Sequence, residues 1–436
     1  MSRTYRDTVE WIFKQLPMYQ RVGTAAYREG LDGIQALCAL AGNPQRRLGS
    51  VIHVAGTNGK GSVSHALAAV LQEHGYKVGL YSSPHLQDFR ERIKINGQMI
   101  EEAFVVEFIE SMRPKCADLN PSFFEYTTLM AFAWFARAQL DFTVVECGLG
   151  GRLDSTNVVQ PALCAITHID WDHASILGDT LVKIAFQKAG IIKQGAPVVL
   201  GRTQDPEIDA VFEQEAHRHR CLVYRADQIF RLERMTQAAS PVLWQVYRHG
   251  QAWREPLTTD LLGNYQAENL GHVLAVIECL QNQGWDMSWT KTWQALSSVS
   301  ARTGFAGRWQ LLGRNPDRVV DVAHNHEGVS VVVQQALQGR SPGALHLVLG
   351  MSTDKDHEAV LKLLPAGARY YFCAPNLERA FPAKELSLKA SSYGLTGNTY
   401  ESVESAWESA CREANTEDLV LGFGSFFVVA EIFKSL

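Results

Sequence analysis

Residues 55–62, AGTNGKGS, combine glycines, a lysine and a hydroxyl in a pattern that could hold a polyphosphate. Glycine lets the backbone approach phosphate oxygens closely, the Lys60 ammonium adds a positive charge, and the Ser62 hydroxyl could bind Mg²⁺. An apolar run, 51–54, precedes the loop, and a helical pattern, 63–71, follows it. The order strand, glycine loop and helix predicts a site for a nucleotide triphosphate. A glycine turn with a chance lysine is the alternative interpretation.

Further segments place polar or glycine residues directly after apolar ones: 81–86 (YSSPHL), 146–157 (ECGLGGRLDSTN), 166–173 (ITHIDWDH) and 186–192 (FQKAGII). Taken alone, segment 81–86 could be a Ser-Pro turn, segment 166–173 could be a capped turn or contain a core histidine, and segment 186–192 could carry a surface lysine. The glycine-rich segment is not a dinucleotide fingerprint, because Leu153 stands where the third glycine is required. The histidine segment lacks the His-x-x-x-His helix or cysteine cluster of a zinc site. In the glycine-rich segment, Glu146 ends an apolar strand, and its carboxylate could bind a metal ion that holds a phosphate.

Composition sets the outer limits of function. The 436 residues carry a formal net charge of −5, with 46% hydrophobic and 20% charged residues, which is typical of a globular enzyme and gives no basic surface for nucleic acid. The eight cysteines form no C-x-x-C pair, as expected for reduced thiols. The amphipathic N-terminus does not resemble a signal peptide, and the apolar runs are shorter than the roughly 18 residues of a membrane span. We therefore expect a cytoplasmic, monomeric protein with no nucleic acid or membrane partner.

Short apolar runs alternate with helical patterns along the chain. Predicted strands are 51–54, 78–81, 142–146, 163–167, 197–201, 318–322, 345–349, 368–373 and 419–421. Predicted helices are 63–71, 101–112, 127–138, 269–281, 328–337, 357–364 and 403–413. Small and polar residues at 297–307 indicate a linker. We predict an α/β fold, in which a P-loop-containing parallel-sheet ATPase domain, residues 1–299, is followed by a smaller Rossmann-like α/β C-terminal domain, residues 300–436.

Taken in order, GTNGKGS, SSPHL, ECGLGGRLDSTN, DHASILGDT and QKAGIIK resemble the folylpolyglutamate synthase family of the Mur ligase superfamily, including its bifunctional dihydrofolate synthase form. Downstream, residues 263–269 (GNYQAEN), 307–310 (GRWQ) and 321–325 (DVAHN) continue the resemblance over nearly the whole chain. One departure is Tyr265, because the family motif usually has histidine at this position.

The resemblance implies roles for residues in both domains. The ATP contacts would be Gly56, Thr57, Asn58, Gly59, Lys60, Gly61, Ser62, Asn269, Arg308 and Asp321. The Mg²⁺ ligands would be Ser62, Ser83, Glu146 and His173. The catalytic residues would be Lys60, Lys188 and His324, with Lys188 as a carbamate. The pterin contacts would be Tyr27, Arg28, Phe124, Glu125, Leu153, Asp154 and Ser155, although the aromatic pair at 123–124 could equally belong to the core. A carbamate would replace an ammonium, which repels Mg²⁺, by an anion.

The resemblance also implies the reaction. The first domain would be an ATP-binding central domain, and the C-terminal domain would be a glutamate-ligase domain. ATP would convert a substrate carboxylate into an acyl phosphate, and the amine of L-glutamate would displace the phosphate. The acceptors would be dihydropteroate and reduced folates, held in a dry cleft by domain closure. Three alternatives remain open: a monofunctional folylpolyglutamate synthase, a Mur-type amino-acid ligase that acts on a nucleotide-linked sugar peptide, and a nucleotide-dependent switch without ligase activity.

Overall fold

The computed structural model describes residues 4–18, 23, 30–203, 205–235, 241–338 and 343–436. The chain forms two compact units. The first unit consists of Met1–Met235, Leu243–Asp260 and Gln266–Phe305, and the second consists of Thr236–Val242, Leu261–Tyr265 and Ala306–Leu436. No helix in the described ranges is both long enough and apolar enough to span a bilayer.

An eight-stranded sheet lies at the centre of the first unit. Its strands are β1 (Ser50–Ala55), β2 (Val78–Tyr81), β3 (Ile93–Ile95), β4 (Gln98–Met99), β5 (Phe142–Glu146), β6 (Leu163–Ile166), β7 (Val198–Leu200) and β8 (Val223–Arg225), in the order β4-β3-β2-β5-β1-β6-β7-β8. The six strands β2, β5, β1, β6, β7 and β8 are parallel, whereas β3 and β4 add an antiparallel edge. Strands such as 142–146 are buried along their whole length, as a parallel sheet covered on both faces requires.

Helices cover this sheet. They are α1 (Tyr5–Gln15), α2 (Asp32–Leu40), α3 (Lys60–Glu73), α4 (Glu102–Met112), α5 (Phe123–Ala138), α6 (Ala174–Leu177), α7 (Leu181–Ala189), α8 (Pro206–Arg218), α9 (Ala226–Ile229), α10 (Gln266–Asn282), α11 (Trp289–Leu296) and α12 (Val299–Thr303). Short 3-10 helices lie at Pro44–Arg46, Phe89–Arg92, Ala117–Leu119 and Ser155–Val158. Helix α3 is buried from residue 62 to residue 71, because it packs between β1, β2 and β5 and the helices α10, α11 and α12.

The first unit also contains an antiparallel sheet that was not predicted from the sequence. Its strands are β9 (Phe230–Arg234), β10 (Val242–Arg248), β11 (Gln251–Ala252) and β12 (Leu257–Thr259), and β10 is the strand that pairs with the others. Only alternate residues of β9 are buried, so this strand does not give the continuous apolar run that marked the central strands.

The second unit contains a six-stranded sheet. Its strands are β13 (Gln310–Gly313), β14 (Asp317–Val320), β15 (Leu345–Leu349), β16 (Arg369–Phe372), β17 (Gly397–Thr399) and β18 (Leu419–Phe423), in the order β13-β14-β18-β15-β16-β17, with β13 antiparallel and the others parallel. Its helices are α13 (His326–Leu337), α14 (His357–Leu361), α15 (Ala383–Ser391), α16 (Val403–Glu413) and α17 (Phe426–Lys434). The predicted α/β fold class is confirmed.

The predicted linker at 297–307 is partly wrong, because α12 occupies its middle, Val299–Thr303. The Asp260 carboxylate accepts hydrogen bonds from the backbone N–H of Val299 at 3.0 Å and of Ser300 at 2.9 Å, which satisfies two donors at the start of α12. At the other end, the buried Lys94 ammonium donates to the Thr303 carbonyl at 2.7 Å. The partners that hold this helix are distant in sequence, so local composition did not reveal it.

Candidate functional site

The phosphate loop, within residues 55–62, follows β1 and leads directly into α3. Gly56 and Gly59 have φ values of +146° and +89°, which favour glycine. A Cβ at Gly56 would collide with the Thr167 hydroxyl, and one at Gly59 would collide with the Asn269 side-chain oxygen. The backbone therefore passes closer to its neighbours than any other residue would allow. The N-terminus of α3, which begins at Lys60, favours an anion at this loop.

Two lysines converge on one carbonyl oxygen of the loop. The Lys60 ammonium donates to the carbonyls of Gly56 and Thr57, both at 3.0 Å, and Lys188 of α7 donates to the Gly56 carbonyl at 2.8 Å. Lys188 is buried, with 3% of its surface exposed. Burial, assisted by the positive charge of Lys60, lowers the pKa of Lys188 to about 7. A substantial fraction of Lys188 is therefore a neutral amine at neutral pH.

The segment after β6 supports the phosphate loop. The Thr167 hydroxyl donates to the Asn58 carbonyl at 2.6 Å, and the Thr57 hydroxyl donates to the Asp170 carbonyl at 2.9 Å. The backbone N–H of Asp170 donates back to the Thr57 hydroxyl at 3.1 Å. Thr167 was not among the predicted site residues. Its position at the end of an apolar run was the only signal that could have identified it.

The four residues expected to bind Mg²⁺ follow neighbouring parallel strands. Ser83 follows β2, Glu146 ends β5, Ser62 lies in the first turn of α3 after β1, and His173 precedes α6 after β6. Since β2, β5, β1 and β6 are adjacent and parallel, their carboxyl ends lie along one edge of the sheet. The register pairs Val54 with Glu146, which places this carboxylate beside the start of the phosphate loop.

The donor set of this edge suits a hard cation. Two hydroxyls and a carboxylate are oxygen ligands of the type that Mg²⁺ prefers, together with phosphate oxygens and water. No group of three or more His, Cys, Asp and Glu side chains in the described residues is arranged to hold a metal ion. His173 has φ +51°, and its Nε2 lies 3.4 Å from the Asp172 carboxylate. A metal at this edge would therefore rely on Ser62, Ser83 and Glu146 more than on a cluster of acidic side chains.

The residues expected to contact a pterin lie at the start of α5 and in the glycine-rich loop after β5. The Phe124 ring packs so closely on Gly148 that a Cβ there would collide with it. Glu125 accepts hydrogen bonds from the backbone N–H and the hydroxyl of Ser122, at 2.8 and 2.7 Å, and so caps α5. Leu153 and Ser155 are partly exposed in the loop. Tyr27 and Arg28 lie outside the described residues.

Asp154 is buried within the same loop. Its carboxylate accepts hydrogen bonds from the backbone N–H of Leu149 at 2.7 Å and of Thr156 at 2.9 Å. Burial raises the pKa of Asp154, and these hydrogen bonds act in the opposite direction. Asp154 therefore organises the loop in which it lies, a role that was not predicted from the sequence.

In the second unit, Asp321 follows β14 and organises the neighbouring candidate residues. Its carboxylate accepts hydrogen bonds from the Tyr265 hydroxyl at 2.6 Å, the Trp309 backbone at 2.7 Å and the Ala323 backbone at 2.8 Å. Burial raises the pKa of Asp321, whereas the charge of Arg308 lowers it. Tyr265, the departure from the family motif, thus has a specific partner.

Arg308 and His324 approach the same ring of the second unit. The Arg308 guanidinium lies 4.9 Å from the centroid of the Phe426 ring, and the His324 ring centroid lies 5.9 Å from it. The His324 Nδ1 lies 2.9 Å from the Val322 carbonyl oxygen, which orients the ring. The structure therefore brings Arg308, Asp321 and His324 into one region of this unit.

Comparison with known proteins identifies the family. The Mur ligase middle domain model matches residues 54–277, and the Mur ligase, glutamate ligase domain model matches residues 307–426. The dihydrofolate synthase/folylpolyglutamate synthase of Bacillus subtilis (strain 168) is 31% identical, with all of both chains covered. The chain belongs to the dihydrofolate synthase/folylpolyglutamate synthase family of Mur ligases. This membership confirms the resemblance that the ordered motifs indicated.

Solved structures of the dihydrofolate synthase/folylpolyglutamate synthase family agree with this assignment. E. coli FolC in complex with DHPP and ADP has a TM-score of 0.86 and 28% identity, covering 99% of this chain and 97% of that chain. A bifunctional folylpolyglutamate synthase/dihydrofolate synthase with Mn, AMPPNP and L-glutamate bound has a TM-score of 0.81 and 28% identity, covering 100% of this chain and 99% of that chain.

Proposed function

We propose that this protein is an ATP-dependent ligase that adds L-glutamate to dihydropteroate, forming dihydrofolate, and to reduced folates, extending their glutamate chain. The observation that carries the proposal is the convergence of Lys60 and Lys188 on the Gly56 carbonyl, in a glycine loop at the carboxyl edge of a parallel sheet. The Bacillus subtilis relative bears the names of both activities, and it aligns over its full length.

The residues of the first unit would have different roles in phosphoryl transfer. The phosphate loop would hold the phosphates of ATP through its backbone N–H groups, and Lys60 would draw charge from the γ-phosphoryl group. Ser62, Ser83 and Glu146 would hold Mg²⁺, with His173 as a fourth candidate, and the cation would neutralise charge on the phosphates. Asn269, which faces Gly59, would contact the nucleotide.

The acceptor carboxylate attacks the γ-phosphorus, so that a C–O–P anhydride forms and ADP leaves. The amine of L-glutamate then attacks the acyl carbon, an amide bond forms, and inorganic phosphate leaves with the electron pair of the broken C–O bond, while the proton lost from the amine passes to the released phosphate or to solvent. Phe124, Glu125, Leu153, Asp154 and Ser155 would orient the pterin-carrying acceptor. Holding both substrates in a fixed geometry supplies much of the acceleration of such a two-substrate step.

We further propose that Lys188 functions as a carbamate. Its neutral amine would attack CO₂, form a C–N bond and release one proton to solvent, giving an anion beside the proposed metal site. The lowered pKa of Lys188, about 7, supports this reaction because only the neutral amine is nucleophilic.

We assign the region predicted as residues 300–436, whose compact unit begins at Ala306, to the glutamate-ligase domain, and the region predicted as residues 1–299 to ATP and pterin binding. The match of the glutamate ligase domain model to residues 307–426 supports this division. Arg308 and Asp321 would contact ATP, and His324 would act near the phosphate or the incoming glutamate. We also propose that the enzyme works as a monomer in the cytoplasm, where its eight free thiols would stay reduced.

The test is an ATP-turnover assay with the purified protein. ADP release should require both L-glutamate and either dihydropteroate or a reduced folate, and mass spectrometry should identify the amide product. ADP release without either acceptor would favour a nucleotide-dependent switch. Turnover of folates without turnover of dihydropteroate would establish the monofunctional alternative, and turnover only with a nucleotide-linked sugar peptide would establish the Mur-type alternative.

A further inference from the structure

A buried imidazole contacts both ends of the glycine-rich loop that follows β5. His53 lies within β1 and is fully buried. Its Nε2 lies 2.9 Å from the Thr156 hydroxyl oxygen and 3.1 Å from the Cys147 sulfur. Cys147 begins the loop directly after β5, and Thr156 lies in the 3-10 helix that ends it. The strand that leads into the phosphate loop thus also holds this loop in place.

The contacts of Thr156 favour one tautomer of His53. The Asp154 carboxylate accepts backbone N–H groups on both of its oxygens, and the Thr156 hydroxyl donates to its Oδ1 at 2.5 Å, a shorter contact than the 3.6 Å from the same hydroxyl to the Cys147 sulfur. With that proton directed to Asp154, the Thr156 oxygen accepts from His53, which places the imidazole proton on Nε2. His53 Nδ1 is buried and has no hydrogen-bond partner within the described ranges.

Burial keeps this imidazole neutral. It lowers the pKa of His53 to about 3, with a smaller effect from the charge of Lys193. The imidazole of His53 therefore stays uncharged over the physiological pH range. The hydrogen bonds form a directed chain from His53 to Thr156 to Asp154, and such chains hold each member in one orientation.

The loop held by His53 touches two parts of the proposed site. A Cβ at Gly151 would collide with the backbone carbonyls of Gln187 and Lys188, and the backbone N–H of Arg152 donates to the Gln187 carbonyl at 2.6 Å. The same loop carries Asp154, which we assigned to the pterin-carrying acceptor. A shift of the loop would therefore move Asp154 relative to the acceptor.

We propose that His53, acting through Thr156, is a positioning residue that fixes Asp154 for the pterin-carrying acceptor and so sets the affinity for dihydropteroate. This inference rests on the proposed ligase function. His53 does not touch the substrate, because it is buried beneath the loop; its effect is to hold the carboxylate of Asp154 in one orientation through the Thr156 hydroxyl.

Two matched variants test the chain of hydrogen bonds. Thr156→Val keeps the shape of the side chain but removes the hydroxyl, whereas Thr156→Ser keeps the hydroxyl. We expect Thr156→Val to raise the KM for dihydropteroate by about fivefold to tenfold, since one hydrogen bond is lost, while the KM for ATP changes by less than about twofold. Thr156→Ser should restore the KM for dihydropteroate. Equal behaviour of the two variants, or a parallel rise of both KM values, would overturn the proposal.

A second measurement does not depend on the variants or on activity. The ¹⁵N chemical shifts of His53 in the unmodified protein report which ring nitrogen carries the proton, and we expect Nε2–H at pH 6 to 8. An Nδ1–H tautomer would contradict the proposed chain. If the unmodified enzyme shows no glutamate-dependent turnover, the proposed function fails, whereas the tautomer still tests the hydrogen-bond chain itself.

A third test uses variants of His53. His53→Gln, which keeps a side-chain donor, should retain a lower KM for dihydropteroate than His53→Leu, and the reverse order would refute the role of His53.

Discussion

At the residue scale, the two lysines that meet at the Gly56 carbonyl have different proposed roles. Lys60 stays close to the loop and would bind phosphate. Lys60→Ala should lower kcat by about a hundredfold or more, because no other cation of residues 55–62 could replace it, while the fold is retained. Steady-state kinetics with circular dichroism checks this result. Lys183→Ala, which removes an exposed lysine of α7, is the control, and near-normal activity of Lys60→Ala would refute the phosphate-binding role.

The second prediction concerns Lys188 and dissolved CO₂. With a pKa of about 7, the neutral amine makes up about 10% of Lys188 at pH 6 and about 90% at pH 8. Protonation therefore opposes carbamate formation below pH 7, and the loss of activity in CO₂-depleted buffer should be larger at pH 6 than at pH 8. Bicarbonate should restore the activity.

The same hypothesis predicts that Lys188→Ala loses activity and regains part of it when short carboxylic acids are added, because they can occupy the vacated space. Intact mass spectrometry under native conditions measures the carbamate directly. A fully active enzyme with an unmodified amine at Lys188 would exclude the carbamate.

At the scale of elements, the glycine-rich loop after β5 is where the two proposed activities should separate. Both activities would share the ATP and L-glutamate contacts, so they must differ in the position of the pterin. Asp154→Asn keeps the size of the side chain but removes its charge. We expect it to weaken the use of dihydropteroate more than the use of a reduced folate monoglutamate, with the KM for ATP little changed. Equal loss of both activities in the kinetic comparison would instead place Asp154 in the machinery common to them.

The central strands could be predicted from the sequence because they are short apolar runs buried on both faces. The predicted strands 78–81, 142–146 and 345–349 have the same bounds in the structure. The sheet of β9 to β12 and the helix α12 could not be predicted in this way, because alternate residues face solvent in β9 and distant partners hold α12.

For the candidate site, the sequence supplied the motifs but not the contacts between them. A glycine loop and a lysine have a recognisable order, so residues 55–62 stood out. The bonds from Thr167 to Asn58 and from Tyr265 to Asp321 join residues far apart in the chain, and only the folded structure reveals them. The residue that replaces the motif histidine, Tyr265, was noted as a departure, but its partner was not foreseen.

At the scale of the whole molecule, one buried carboxylate should make stability depend on pH. Asp418 precedes β18 and accepts hydrogen bonds from the Asn415 and Ala344 backbones and from His346 Nε2. Burial opposes its ionisation, but these hydrogen bonds prevail and lower its pKa to about 2, from 3.8. Its contribution to stability is present above pH 3.8 and is lost as the pH falls towards 2.

Asp418→Asn should therefore lower the free energy of unfolding by about 2 kcal/mol at pH 7, and the difference from the unmodified protein should vanish near pH 2. Denaturant titration at several pH values measures this difference. Asp179→Asn, at an exposed position, is the control and should have little effect. A difference that persists unchanged at low pH would show that the charge of Asp418 is not its cause.

The distribution of thiols gives each unit its own chemical reporter. Cys221 in the first unit and Cys411 in the second are half-buried, whereas Cys38, Cys116, Cys147, Cys164, Cys279 and Cys373 are buried. Of the six buried thiols, only Cys373 belongs to the second unit. Because burial also raises the pKa of these thiols, alkylation of the folded protein should be slow. Peptide mapping after timed alkylation would thus reveal which half of an unaltered chain opens first during denaturation, without any engineered label.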